Sequence, residues 1–445
     1  MNGSFEIYIY FVENLKDSRQ LHVLSAEIAQ EKGKTTILMH LFNMPLSPPQ
    51  TQLLDSILPA EPLLLMGAGP VPISHAVSRA NGVVINHLGE TMDAVVSNVK
   101  MMGRYAFQTV SDKIIGVSGP ASAAMEMAIT NILWPGRSVL ALSMGTFSGR
   151  MAEMAEGVGA EVTVLKSTGI EPVRLEQIRE ALSKKHYDVI TMAQGETSCG
   201  VEMKCIPEVA QMAKELGTLV VVDAVCTLTT MPLQMDEWGI DIAIAGGQKG
   251  LSSIPGVSLI AFSDGAWKTI ESRNVRQPHW CLDALKAQTF WGSQQYHYTA
   301  PVPGILALHE ALRQICEETL PSRFERHRTR SIALQSGIET MGLKLFVPIK
   351  DRLNSVVAIQ TPEDTDSAQI RKIMSKRFNV EISGAFGMDI LRIGQMGEQC
   401  RSHNLFKVLY ALGMSCRQTG VDLDVSLGIA ELELNLVIDP ENLVG

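Results

Sequence analysis

Lys249 is the side chain in this sequence best placed to act as a nucleophile. It stands in DIAIAGGQKGLSS, directly after an apolar run and two glycines. An amine at the end of a buried strand loses solvation and has its pKa lowered. It then attacks carbonyls, which is Schiff-base chemistry. The same stretch also suits a surface lysine in a turn. A P-loop would need G-x-x-x-x-G-K-[ST], which GGQKGL does not supply. Asp223 closes the apolar run in LVVVDAVCT. A carboxylate there calls for a cation, and a protonated pyridine nitrogen would serve, strengthening the ring as an electron sink. The alternative is an aspartate that caps a turn. VSGPASAAMEMAI carries Ser118, Gly119 and Ser122 at a Gly-Pro turn into a helix. Free N–H groups at a helix start suit a phosphate, and serines there also serve as plain caps. In QGETSCGV, Gly195 and Gly200 bracket a polar loop. In LRIGQMG, Arg392 lies between apolar residues and faces a partner, either a substrate carboxylate held bidentately or a structural ion pair.

These residues need elements to hold them. From Lys113 short apolar runs alternate with amphipathic segments: KIIGVSG, SVLALS, EVTVLK, DVITMAQ, TLVVVDAV, DIAIAGG and GVSLIAFS read as strands. Continuous apolar strands alternating with helices predict an α/β fold, a mostly parallel sheet covered on both faces. Ligands of such sheets bind beyond the carboxyl ends of the strands, and Gly119, Gly195, Asp223 and Lys249 all fall there. After Pro301 two long amphipathic helices follow. LKLFV, SVVAIQTP, NVEIS and ILRIGQMG then read as strands, and FKVLYALGMSCRQTG as a final helix. This predicts a smaller α+β C-terminal domain. The expected organisation is an N-terminal extension over 1–60, a large domain over 61–318 and a small domain over 319–445. Met44 is an alternative start of the protein, since the recognisable pattern begins only after it.

Composition narrows the classes. The chain has 445 residues, 46% hydrophobic and 19% charged, with a net charge of −9. That balance supports a large buried core. Lysine and arginine are not clustered, which sets nucleic acid aside as a partner. The seven cysteines are scattered without a C-x-x-C pair, which fits a reducing, cytoplasmic setting. No metal spacing such as H-E-x-x-H occurs, so no metal site is expected. No apolar run reaches the length of a membrane span, and the first residues do not read as a secretory signal.

From about Leu63 to Gly397 the chain resembles the class V aminotransferases of pyridoxal 5′-phosphate (PLP) fold type I, nearest to the alanine–glyoxylate and serine–pyruvate group. LLLMGAGPVP, SGPASAAMEMAITNIL, QGETSCGV, VDAV, GGQKGLSSIPGVSLIAFS, FWGSQQYHYTAPV and LRIGQMG carry the resemblance. It implies a seven-stranded large-domain sheet and PLP as cofactor. Lys249 would form the Schiff base with PLP and later move the α-proton. Asp223 would pair with the pyridinium nitrogen, Val225 would pack on one ring face, and Phe147 would take the place of a stacking aromatic. Thr197 would reach the ring hydroxyl. Ser118, Gly119, Pro120, Ala121, Ser122 and Gln248 would surround the phosphate. Tyr296 and Thr299 would reach the phosphate in a neighbouring subunit, which implies a homodimer. Arg392 would bind the substrate carboxylate, with Gly67 and Gly69 beside it. One departure stands out: relatives commonly read S-G-[ST]-G-[TH]-x-A at the phosphate loop, and here Pro120 removes a backbone donor while the second glycine is lost. The implied reaction moves an amino group from a small amino acid, alanine or serine, to glyoxylate or pyruvate. Ureidoglycine–glyoxylate and pyridoxamine–pyruvate transamination are alternatives, as is a PLP-binding protein without turnover. A cysteine desulfurase would carry histidine before the lysine, where Gln248 stands.

Overall fold

The computed structural model describes residues 49–437 apart from 168 and 294. Most of the expected N-terminal extension, 1–48 with Met44, lies outside the described residues. Contacts divide the chain into two compact units, 1–60 and 61–445. In the first, the described part forms one short helix, Leu54–Ile57, with no buried residue.

The second unit is built on a seven-stranded sheet. Its strands are β1 (Ile114–Gly119), β2 (Ser138–Ser143), β3 (Glu161–Lys166), β4 (Val189–Ala193), β5 (Leu219–Asp223), β6 (Ile242–Ala245) and β7 (Gly256–Phe262). Their order across the sheet is β3-β2-β4-β5-β6-β7-β1. Neighbours from β3 to β6 pair parallel. Strand β7 is antiparallel to both β6 and β1, so it alone runs backwards. The strands are continuous apolar runs because both faces are covered. Val220, Val221 and Val222 of β5 and all four residues of β6 are buried. Helices such as Ala121–Ile132 and Thr146–Gly157 follow the strands and pack against them. The α/β class and the mostly parallel seven-stranded sheet expected from the sequence are both present.

The carboxyl ends of β1, β2, β4, β5 and β6 lie along one edge of the sheet. The amino end of β7 joins them there, since Gly256 is paired with Gly119. Every strand-end residue singled out in the sequence therefore faces the same edge.

Two long helices, Val302–Glu318 and Leu320–Thr340, are separated by Thr319 at φ 65°. A second buried cluster follows, with Leu334, Ile338, Leu391, Ile393, Leu409 and Leu412 in it. Here β8 (Val356–Gln360) and β9 (Ile390–Gly394) form a two-stranded antiparallel sheet. Segment 64–65 pairs parallel with 380–381. LKLFV, expected as a strand, makes only one bridge, Leu345 to Ile359. NVEIS forms a strand of only two residues, Val380–Glu381. LKLFV has this one neighbour, and NVEIS divides its pairing between 64–65 and a single bridge from Ser383 to Arg392, so no long ladder forms on either. The helix expected to be last, Ser402–Gln418, is followed by another, Val425–Val437.

Candidate active site

Lys249 sits just past β6, in a loop closed by short backbone bonds. Its N–H reaches the Gly246 carbonyl at 3.2 Å, and its own carbonyl accepts from Ser252 at 2.9 Å. Glycine is required around it by contact. A Cβ on Gly247 would lie within 2.9 Å of the Ile254 carbonyl oxygen, and one on Gly246 would crowd Val225, Ala121 and Lys249 at 3.1–3.3 Å. The side chain points at the segment 67–70, where Nζ donates to the Ala68 carbonyl. Gly69, at φ +101°, faces it directly: a Cβ there would come within 2.6 Å of Nζ. Burial is the main cause lowering the pKa of Lys249 from its ordinary 10.5. A desolvated amine is more often the free base, hence nucleophilic and able to accept a proton.

Asp223 ends β5 and is 6% exposed. Its Oδ1 accepts from the Val225 N–H at 2.8 Å. Burial pushes its carboxyl up to about 7; the Val225 N–H opposes this, the Glu196 charge adds to it, and Lys249 opposes it. A cation placed at this carboxyl would restore the ionised form.

Gly119 takes φ +141°, and Pro120 caps the helix that starts at Ala121. Pro120 thus stands outside the helix, and the first-turn N–H groups of Ala121 and Ser122 are untouched by the missing donor. Ser118 Oγ lies 3.0 Å from the Tyr298 hydroxyl. Gln248 has a buried Oε1 with no hydrogen-bond partner. Thr197 is buried, and Phe147 is partly covered at the start of Thr146–Gly157. Tyr296 and Thr299 are exposed; within the chain it is Tyr298 that touches the Ser118 turn.

Arg392, on β9, is 5% exposed. Its hydrogen bonds within the chain go to backbone carbonyls and not to an acidic side chain, so the structural ion pair is not formed. Nε donates to the Gly384 carbonyl at 2.8 Å, Nη2 reaches the same oxygen, and Nη1 reaches the Thr197 carbonyl. Beside it opens a cleft of about 480 Å³, lined by Gly67, Gly69, Ser383, Phe386, Arg371 and Arg392 among others. The cleft thus reaches from the residue against Lys249 to the two arginines.

Sequence reading missed several residues. Glu196 is fully buried and accepts five hydrogen bonds: from Phe147 N, Ser148 N, Ser148 Oγ, Ser198 N and Ser198 Oγ, at 2.6–3.3 Å. It fills the N-terminus of Thr146–Gly157 with the protein's own carboxylate. A glutamate inside the polar QGETSC loop was the available signal. Arg323 was missed as well. It donates to Thr229 and Gly250 carbonyls and to Ser252 Oγ, at 2.9–3.1 Å. Glu318 pairs with Arg323 at 2.7 Å and also binds Arg326, while His327 accepts from Gly397 N at 3.0 Å. This buried group ties the loop after Lys249 to the loop after Arg392. Among the described residues no group of histidine, cysteine and acidic side chains is placed to hold a metal.

A buried amine and a cation-seeking carboxylate at the carboxyl edge of an α/β sheet define a site for an aldehyde cofactor with a basic ring nitrogen. The first-turn N–H groups of the helix that starts at Ala121 fit its phosphate. Comparison with known proteins agrees. The family model "Aminotransferase class-V" matches residues 73–402. The alanine–glyoxylate aminotransferase of Felis catus is 31% identical over 88% of this chain and 97% of its own. The crystal structure of the alanine–glyoxylate aminotransferase of Nostoc sp. has a TM-score of 0.79 at 31% identity, covering 82% of this chain and all of that one. That of the ureidoglycine–glyoxylate aminotransferase of Bacillus subtilis has a TM-score of 0.82 at 28% identity, over 85% and 99%.

The chain belongs to the class V aminotransferases. It is a PLP-dependent transaminase, moving amino groups between amino acids and 2-oxo acids.

Proposed function

We propose that the amino donor is small, alanine or serine, and that the acceptor is glyoxylate or pyruvate. The observation that carries this reading is likeness along almost the whole chain to alanine–glyoxylate aminotransferases, 31–33% identical. Lys249 would hold the cofactor's aldehyde carbon and Asp223 its ring nitrogen. Val225 and Phe147 would flank the ring, Thr197 its hydroxyl, and Ser118, Gly119, Pro120, Ala121, Ser122 and Gln248 the phosphate. When bound, PLP supplies an aldehyde that condenses with amines and a ring that accepts the electron pair of a broken Cα–H bond.

The chain's own residues do the rest. Lys249 Nζ takes the α-proton and returns it, which its lowered pKa and its place against Gly69 allow. Asp223, ionised once a cation faces it, keeps the ring nitrogen protonated. Arg392 has five N–H donors and spends three on carbonyls. One N–H on each Nη is left, the pattern that grips a carboxylate from two sides. Gly67 and Gly69 keep the approach to Lys249 free of side chains.

The homodimer also belongs to this reading. Tyr296 is 60% exposed and Thr299 is exposed, which suits residues that act on a neighbouring subunit's phosphate site. A cytoplasmic location is supported by seven unpaired cysteines.

Purified protein is offered a panel of amino acids, including ureidoglycine and pyridoxamine, with glyoxylate or pyruvate, and the 2-oxo products are measured. Alanine or serine with glyoxylate should give the highest kcat/KM. A clear preference for ureidoglycine or pyridoxamine would replace this assignment. Borohydride reduction followed by peptide mapping should place the cofactor on Lys249, and Lys249→Ala should lose at least about 100-fold in turnover.

A further inference from the structure

The cleft beside Lys249 holds two guanidinium groups, and only Arg392 has hydrogen-bond partners. Arg371, on the helix Ser367–Phe378, makes no hydrogen bond or ion pair among the described residues, and its Nε is buried without a partner. Unpartnered buried donors are rare, and a charged one is the costliest kind.

Its guanidinium lies over one glycine. The Gly384 carbonyl accepts from Arg392 Nε at 2.8 Å. A Cβ on the same residue would lie 3.1–3.2 Å from Cζ, Nε and Nη2 of Arg371. Gly384 therefore lies beside both cations, bonded to one through its oxygen and leaving, by its missing Cβ, the space the other lies against. Each side chain lines the cleft of about 480 Å³ that extends to Gly69. The Arg371 charge adds to the effects that lower the Arg392 pKa, so the two cations are mutually unfavourable as they stand. Glu381 also lines this cleft but makes no ion pair with either.

We propose that Arg371 is a specificity-determining residue that binds a second carboxylate, so that a dicarboxylic amino acid or its 2-oxo diacid is also a substrate. The α-carboxylate goes to Arg392 and the distal one to Arg371. The proposal rests on the reading of this cleft as the place where amino and oxo acids bind. A two-carbon acid such as glyoxylate uses Arg392 alone. A substrate with a carboxylate at each end neutralises both cations.

The test uses the holoenzyme and inert acids at 0.2 M salt, where long-range attraction is largely screened. Calorimetry compares acetate and propionate with malonate and succinate. At least one dicarboxylate should bind roughly 10- to 100-fold more tightly than its monocarboxylate counterpart, the value of one charge-assisted contact. R371Q should lose that advantage while its monocarboxylate affinity moves less than about twofold, which also shows that the variant is folded. R371K, a point charge without the fork, should keep part of it. Equal affinities in the wild type, or a preference that survives in R371Q, overturn the proposal. Failure of the alanine–glyoxylate reading appears separately, as absent turnover of that pair by a wild type that still prefers dicarboxylates.

Discussion

Stripping the cofactor should leave a carboxyl group that keeps its proton to near neutrality. Asp223 is buried, receives one recorded hydrogen bond, from Val225, and lies near the charge of Glu196. Burial is the main reason its pKa rises from 3.8 to about 7. The unfolded chain releases this proton near 3.8, while the folded chain holds it until about 7. Across that window the unfolded state binds fewer protons, so the stability of the stripped protein falls as pH rises. The gap corresponds to about 4 kcal/mol. Asp223→Asn removes the ionisation. Near pH 4 the stripped variant should match the stripped wild type, and at pH 8 it should be more stable by up to about 4 kcal/mol. Urea midpoints at half-unit pH steps measure this. The infrared signal of a protonated carboxyl, titrating near pH 7 and missing in the variant, identifies the group. With cofactor bound the order should reverse, because a neutral amide gives the ring nitrogen no counter-charge. Parallel stability curves for the two stripped proteins between pH 4 and 8 would refute the reasoning.

Gly69→Ala should keep the fold but lose activity, because the new methyl group falls within 2.6 Å of Lys249 Nζ at a backbone φ of +101°. Strain of about 1–3 kcal/mol is expected in urea titration, together with slower trapping of the lysine by borohydride. Arg323→Met should destabilise the protein by roughly 3–5 kcal/mol, since Glu318 loses one of two cationic partners and the left-handed Thr229 and Ser252 lose their clamp. Burial and the adjacent Arg326 and Arg323 hold His327 well below 6.5. The folded protein therefore cannot take up the proton that the unfolded chain binds below 6.5, and stability is lost as pH falls from 6.5 toward 5. His327→Gln, which can still donate and accept, should flatten that part of the acid profile.

Much of the sheet was legible because burial on both faces leaves a simple mark. LVVVD contains no polar residue before its last, IAIA contains none at all, and the chemistry sits at or just past their ends. The small C-terminal sheet was harder. LKLFV and NVEIS have strand composition, but pairing is a property of the neighbours, and theirs pair with them over only one or two residues. Helix Val425–Val437 went unread, although Gly428 explains its place: a Cβ there would press within 2.7 Å of the Gly337 carbonyl oxygen, so the glycine permits close helix packing. Within the site, Lys249 and Asp223 were readable because an isolated polar residue at the end of an apolar run is informative. Glu196, Arg323 and Arg371 were not, because each acquires its meaning from residues far away in the chain.

The reversed strand β7 has a further consequence. It leaves the edge of the sheet only a few residues after Lys249 and is zipped on both sides, to β6 and β1. The amine therefore rides on a short bight anchored at both ends in the seven-stranded sheet. The arginines stand elsewhere, on a two-stranded ribbon and a peripheral helix. The chemistry-bearing part can stay fixed while the part that discriminates among acids is altered, which makes the ribbon the sensible place to begin redesigning this catalyst for new substrates.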